Sequence, residues 1–217
     1  MSQSKLTADI SDDFFPALMA MAVRLDADPR SFMAVWFSES GMRAAAWNDS
    51  PKSLPPEKRY NSSGLFQAMP ATLRALGYPG SHTSFRALSA TQQIQWALRY
   101  YMPYKGKLVS VGAIYVANFL PALLEHAGDP SYVMTAKNGV RSWAFLPNQA
   151  FDANGDMQIT VGELESAVQR NARGPRWEEL AARLASAQKG DAPLAPPDAG
   201  AIVYAFPDPV DPPDDVA

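Results

Sequence analysis

The chain contains no cysteine and only two histidines, His82 and His126, far apart in the sequence. Disulfide frameworks, zinc–thiolate sites, iron–sulfur clusters and thiol nucleophiles are thereby excluded, and histidine-based metal sites and proton relays are poorly supplied. Any catalysis must rest on carboxylates. An excess of positive charge is missing as well. Against 22 Asp and Glu there are 19 Lys and Arg, a net charge of −3, so no overall basic field serves phosphate contacts and nucleic acid is not expected as a partner. Long hydrophobic runs are also lacking. The longest early one, Phe14 to Val23, follows Asp12 and Asp13 and is broken by Pro16, the reverse of a basic start leading into an apolar signal core. Nothing approaches the roughly 20 apolar residues that span a bilayer. The expectation is a soluble protein, made in the cytoplasm without a signal peptide and not inserted in a membrane.

What is present suffices for a core. With 217 residues, 47% hydrophobic and 19% charged, the composition predicts one compact globular domain followed by a tail. Residues 1–188 form the expected domain. From Lys189 onward there are seven Pro and six Asp in 29 residues, a disordered or extended segment by composition. Its one apolar island, Ile202, Val203, Tyr204 and Phe206, leaves a docking peptide for a partner as the alternative.

Apolar spacing is mostly helical, and the fold class expected is mainly α. Asp12 or Asp13 caps a helix to about Leu25, and Asp28-Pro29 opens a second that ends near Gly41. Trp47 to Ser63, with Pro51, Pro55 and Pro56, has no period and reads as a long loop. Pro70 starts a short helix that Gly77 stops. Thr91 caps another to about Tyr101, an apolar helix covers Val109 to Leu124, and a last one runs from Val161 to Ala187 with a break at Gly174-Pro175.

On the second helix Phe32, Val35, Trp36 and Glu39 fall at i, i+3, i+4 and i+7, so a lone carboxylate shares the face assigned to the core. A carboxyl against apolar walls has its charged form disfavoured and becomes a proton donor near neutral pH, which is general-acid chemistry. On spacing alone, the alternative is a surface pair with Arg43 at i+4.

Glu39-Ser40-Gly41, followed by Ser63-Gly64-Leu65-Phe66-Gln67-Ala68-Met69-Pro70-Ala71-Thr72 and Leu76-Gly77, resembles the signature of soluble lytic transglycosylases and the related goose-type lysozymes. The resemblance is clear over residues 14–78 and weaker to about residue 124. It implies a lysozyme-like helical fold, with Glu39 as catalytic acid/base and Ser40, Gly64, Leu65, Gln67 and Met69 at a sugar groove. The residue chemistry fits, since glycine permits close backbone approach and a planar amide both donates to and accepts from an acetamido sugar. Two features depart from the family. The interval from Glu39 to Gly64 is long, which makes the Pro-rich loop an insertion beside the cleft. The family's Tyr-Asn-Ala-Gly motif is absent, and Tyr115, within Ala113 to Phe119, is the candidate for its tyrosine; a tyrosine in the core of an apolar helix is the alternative.

The activity implied is cleavage of the β-1,4 bond between N-acetylmuramic acid and N-acetylglucosamine in peptidoglycan glycan strands, leaving 1,6-anhydromuramoyl ends. One Glu suffices there, because the sugar's own 6-hydroxyl is the nucleophile. A hydrolytic muramidase would ordinarily need a second carboxylate, for which Asp49 and Glu57 in the insertion are candidates. A third reading is a non-catalytic, wall-binding component of a tail or secretion machine, although a pure binder gains nothing from an ionisable group on an apolar face. Without a leader, delivery to the periplasm or cell wall would use a holin, a virion or a secretion apparatus, with bacteriophage lysis as the leading context.

Asp152-Ala153-Asn154-Gly155-Asp156-Met157-Gln158-Ile159-Thr160-Val161-Gly162-Glu163 matches an EF-hand loop. The Ca²⁺ ligands expected are Asp152, Asn154, Asp156, the Gln158 carbonyl, Thr160 and Glu163. Position 6 is Met157 in place of the usual glycine, a left-handed turn that costs on the order of 1 kcal/mol. The alternative is a capping box of Thr160 and Glu163 preceded by an Asp/Asn turn. An extracellular-grade site would fill only where the protein works and stabilise it there.

Overall fold

A computed structural model describes residues 6–49 and 61–190. The architecture is mainly α, as expected, with two small two-stranded sheets. Helix α1 (Phe14–Leu25) buries Phe14, Phe15, Leu18, Met21, Ala22 and Leu25. Asp13 sits at its N-cap without a side-chain capping bond, and Asp12 turns instead to Arg183, at 2.7 Å. Helix α2 (Pro29–Ser40) starts as the Asp28-Pro29 pair predicts, Asp28 accepting from the Arg30 and Ser31 amides at 3.2 and 2.9 Å. Its buried set is wider than one stripe, because Met33 and Ala34 join Phe32, Val35 and Trp36. The reason is placement: α2 packs against α1 and against three helices from later in the chain, introduced below. A helix covered on most sides is apolar on most sides.

The segment read as a structureless loop has paired ends. Strand β1 (Trp47–Asp49) runs antiparallel to β2 (Asn61–Ser63), with Trp47 opposite Ser63 and Asp49 opposite Asn61. Two three-residue strands leave too short an alternation to be seen by period. Glu57 and the side chain of Asp49, the candidate second carboxylates, lie outside what is described, as does the tail with its apolar island.

Helix α3 (Pro70–Ala75) follows, then α4 (His82–Arg86), which the sequence reading missed because it is a single turn and a half. Helix α5 (Ala90–Tyr101) is capped by Ser89, not Thr91. Ser89 and Gln92 form a reciprocal capping box, and Thr91 is merely in the first turn. Helix α6 (Val111–Phe119) is shorter than the Val109–Leu124 expected. Ser110 caps it, and Pro121 forces Leu120 out of the helical region, to φ −143°, before a 3₁₀ turn over Pro121–His126. Strand β3 (Val133–Ala136), helix α7 (Ser142–Asn148) and strand β4 (Gln158–Thr160) fill the stretch between the helices for which the apolar spacing gives no element; β3 and β4 pair antiparallel. Helices α8 (Val161–Asn171) and α9 (Pro175–Lys189) close the fold, divided at Gly174 as expected. Together with α6 they are the later helices that enclose α2. Among the described residues no helix is long and apolar enough to cross a membrane.

Candidate active site

Glu39 lies in the last turn of α2, and the chain after it is held from two sides. Gly41 adopts φ +62°, and its amide and that of Met42 return to the carbonyls of Phe37 and Trp36, at 2.8 and 3.4 Å. This is the left-handed stop that glycine makes without a Cβ penalty. From α9, Arg176 donates to the Gly41 and Met42 carbonyls at 2.9 and 3.2 Å, while Asp9 engages the same guanidinium at 2.8 Å. The position of Glu39 is thus fixed by its own helix and by a helix from the far end of the chain.

Burial pushes the Glu39 carboxyl above its ordinary range, and hydrogen bonding from Tyr115 and Asn118 draws it part of the way back. Among the described residues no Lys or Arg forms an ion pair with it, so the expected alternative partner Arg43 is not engaged. Tyr115 and Asn118 stand at i and i+3 on α6, one face of one helix. Tyr115 is 6% exposed, and its ring stacks edge-on against Phe151 at 5.6 Å.

Behind Asn118 runs a polar chain through the core. The Trp36 indole donates to the Tyr101 hydroxyl at 3.5 Å, and Tyr101 donates to Asn118 Oδ1 at 3.3 Å, leaving the Asn118 amide hydrogens for Glu39. Tyr100 donates to the Ala117 carbonyl at 2.8 Å. Burial pushes the hydroxyls of Tyr100, Tyr101 and Tyr115 upward, so all three stay neutral donors. An acid surrounded by neutral donors can release its proton and have the resulting anion stabilised without being permanently ionised by a fixed cation.

Beside Asn118 opens a small cavity of about 40 Å³ bordered by Phe66, Gln67, Ala68, Met69, Thr72 and Tyr100. Its floor is the turn after β2. Gly64 stands at φ +79°, where a Cβ would come within 2.4 Å of Gln93 Oε1 and 2.6 Å of the Phe85 ring, so only glycine fits. Gln93 of α5, wholly buried, accepts from the Leu65 amide at 2.8 Å and donates to the carbonyls of Ala44 and Phe85 at 2.8 and 3.1 Å. The Ser63–Ala68 bridge closes the turn.

The sequence candidates therefore fall into different positions. Met69, 36% exposed, and Gln67 border the cavity. Gln67 sits at φ +50°, its Oε1 accepting from Ser62 at 2.7 Å and its Nε2 donating to the Gly64 carbonyl at 2.8 Å. One lone pair and one amide hydrogen are left for a ligand. The Leu65 side chain is in the core, and Gly64 contributes backbone shape. Ser40 turns back to the Trp36 carbonyl at 2.8 Å, away from the groove. Sequence reasoning missed Asn118, Gln93, Tyr100 and Tyr101. Two of them carried a signal: Asn118 is polar on an apolar helix three residues from Tyr115, and Gln93 stands between Ala90 and Ala97 on the buried face of α5.

A larger cavity, about 540 Å³, is bordered by Lys107, Ser110, Ala113, Glu125 and Glu165 against another face of α6. None of the candidates reaches it, so volume and chemistry point to different places here. Asn118 borders the smaller groove and hydrogen-bonds Glu39, and through this link the smaller groove is the candidate active site.

In the loop of residues 152–163, Met157 is at φ +67°, the left-handed conformation expected at position 6. Asp152 accepts from the amides of Gly155, Asp156 and Met157 at 2.8–3.1 Å, Asn154 accepts from Asp156, and Asp156 from Gln158. Glu163 accepts from the amides of Ala153 and Thr160. Thr160 and Glu163 do form the capping box of α8. Among the described residues no three or more His, Asp or Glu are gathered as a metal-holding group. Ile159, position 8, is fully buried on β4 opposite Thr135.

Comparison of the chain with family models, with curated proteins and with solved structures gave no match.

Proposed function

We propose that the protein is a peptidoglycan lytic transglycosylase of lysozyme-like fold with Glu39 as its single acid and base. The observation that carries the reading is a partly buried carboxyl with no cation partner among the described residues, hydrogen-bonded by Tyr115 and by Asn118, which itself borders a groove whose turn exists only because residue 64 is glycine. Glu39 in its neutral form protonates the glycosidic oxygen as the bond from C1 of the muramoyl residue to that oxygen breaks. The muramoyl 6-hydroxyl then bonds to C1 and returns its proton to the Glu39 carboxylate, giving the 1,6-anhydro end. No water is consumed, so one carboxyl serves both steps. Asn118 and Tyr115 stabilise the carboxylate between them. Gln67, with its remaining donor and acceptor, is the group for an acetamido substituent, and Met69 offers an apolar edge.

The resemblance in motif order, Glu39-Ser40-Gly41 and then Gly64 to Thr72, supports the same reading. We further propose Ca²⁺ as a structural ion of the 152–163 loop, held by Asp152, Asn154, Asp156, the Gln158 carbonyl, Thr160 and Glu163. Support comes from the left-handed Met157 and from Asp152 already gathering three loop amides, as a first-position ligand does. The site of action proposed is the cell wall, reached through a holin, a virion or a secretion apparatus.

The test is incubation of purified peptidoglycan with the protein and with Glu39→Gln, reading the released muropeptides by mass spectrometry. Anhydro ends, one water lighter than reducing ends, are expected from the wild type alone. Reducing ends would assign hydrolysis, and no release would assign a wall-binding role.

A further inference from the structure

Two buried side-chain polar atoms lack any hydrogen-bond partner among the described residues, Ser63 Oγ and Arg86 Nε, and both belong to the surroundings of one indole. Trp47, on β1, is 49% exposed. Ser63 is its register partner on β2, so the two side chains share a face of the hairpin. Arg86, at the end of α4, lays its guanidinium over the Trp47 ring at 4.1 Å from the centroid, and the His82 ring stands 6.2 Å away. Two other arginines that close the fold spend their terminal nitrogens on several partners: Arg176 on Asp9 and the carbonyls of Leu6, Gly41 and Met42, Arg183 on Asp12, the Thr7 hydroxyl and the carbonyls of Thr7 and Ile10. Arg86 makes no hydrogen bond and no ion pair among the described residues. A guanidinium fixed by stacking, with its donors unspent beside an exposed aromatic face, is built to receive a planar anion.

The location gives the ligand its context. Ser63 is bridged to Ala68, which with Met69 and Asn118 borders the small cavity, so the indole on β1 stands one strand away from that groove. A pyranose ring packs its C–H face on an indole, and a carboxylate takes two parallel hydrogen bonds from a guanidinium. We propose that Trp47 and Arg86 form an outer subsite for a sugar residue that carries a carboxylate, as the lactyl group of a muramoyl residue does. This rests on the groove being a glycan cleft.

The test uses the full chain carrying Glu39→Gln, so that ligands are not turned over, and measures binding of a peptide-free tetrasaccharide of alternating N-acetylglucosamine and N-acetylmuramic acid. The neutral N-acetylglucosamine tetramer is the comparison. The carboxylate-bearing ligand is expected to bind roughly tenfold more tightly, the worth of a charge-assisted hydrogen bond. Adding Arg86→Gln is expected to erase that preference and leave the neutral ligand unchanged, Arg86→Lys to restore part of it, and Trp47→Ala to weaken both ligands. Equal effects of Arg86→Gln on the two ligands, or none on either, overturn the subsite. Arg86-dependent binding by a protein that releases no muropeptides keeps the subsite and overturns the catalytic reading. Release of anhydro ends with a KM indifferent to Arg86 and Trp47 keeps the catalysis and overturns the subsite.

Discussion

Replacing Gln93 with Leu tests how the groove is held. The amide is wholly buried and serves four backbone groups: the Leu65 N–H and the carbonyls of Ala44, Phe85 and, at 3.5 Å, Leu88. Leucine fills nearly the same volume, so the cavity contribution is small and the loss comes chiefly from the Leu65 N–H and the Ala44 carbonyl, since the Phe85 carbonyl keeps the Leu88 amide at 3.2 Å. Each orphaned buried group costs about 1–3 kcal/mol, less the relief of no longer burying the amide itself, so the expected loss for two such groups is about 2–4 kcal/mol. That is a large share of the roughly 5–15 kcal/mol that holds a domain together. Urea denaturation should show the midpoint falling with the slope unchanged. Gln93→Glu offers an internal control. Its carboxylate keeps the acceptor for Leu65 but faces the Ala44, Phe85 and Leu88 carbonyls with no donor, so at neutral pH the loss should be at least as large as for Leu, with partial recovery on acidification as the neutral acid regains one donor. A loss under about 1 kcal/mol for Gln93→Leu would refute the account of the turn as pinned by one side chain.

Other perturbations follow from the same geometry. Gly64→Ala combines a left-handed backbone with a Cβ at 2.4 Å from Gln93 Oε1, and about 3 kcal/mol or more should be lost on denaturation. Arg176→Met removes donors from the Gly41 and Met42 carbonyls at the end of α2; a loss of about 2–3 kcal/mol is expected, and a drop in kcat with it. The raised Glu39 carboxyl means that the folded state holds this proton more tightly than the unfolded chain does. Its contribution is complete below the ordinary value of 4.5 and is lost as pH rises through the folded value, so Glu39→Gln should melt above wild type at neutral pH and level with it near pH 4. Equal melting at both pH values would contradict the burial. Tyr115→Phe removes one of the groups that lower the carboxyl, so the basic limb of the pH–rate profile should move upward. Millimolar Ca²⁺ should raise the melting temperature and a chelator reverse it; no response to either removes the calcium proposal.

Helices with a cap and an apolar period were legible residue by residue. Asp28-Pro29, the Gly41 stop and the Gly174-Pro175 break lie where the sequence puts them, because each is a local steric or hydrogen-bonding fact. The misread boundaries were local contests too: Ser89 over Thr91, and Pro121 cutting α6 short. What the sequence could not display were pairings between distant segments. The strands β1 and β2 are three residues each and exist through each other, and the grip of Arg176 on the end of α2 joins positions 135 residues apart. Glu39 itself stood out because a charge on a core face contradicts its surroundings, and that contradiction needs no partner to be seen.

The same reasoning explains why the candidate site sits at the end of α2 and not in its middle. Deep in the helix a carboxyl would meet only the apolar neighbours of Phe32, Val35 and Trp36, with nothing to receive its charge. In the last turn, the helix still supplies burial, which favours the protonated form, while α6 brings a hydroxyl and an amide that favour the ionised one. The two influences oppose each other; burial is the larger and leaves the carboxyl above its ordinary range, while the donors of α6 draw it part of the way back and receive the charge when it forms. The proposed acid that becomes a base within one turnover needs both. Removing the donors of α6 would leave an acid that cannot hold the negative charge, and exposing Glu39 to water would leave a carboxylate that rarely carries a proton to give.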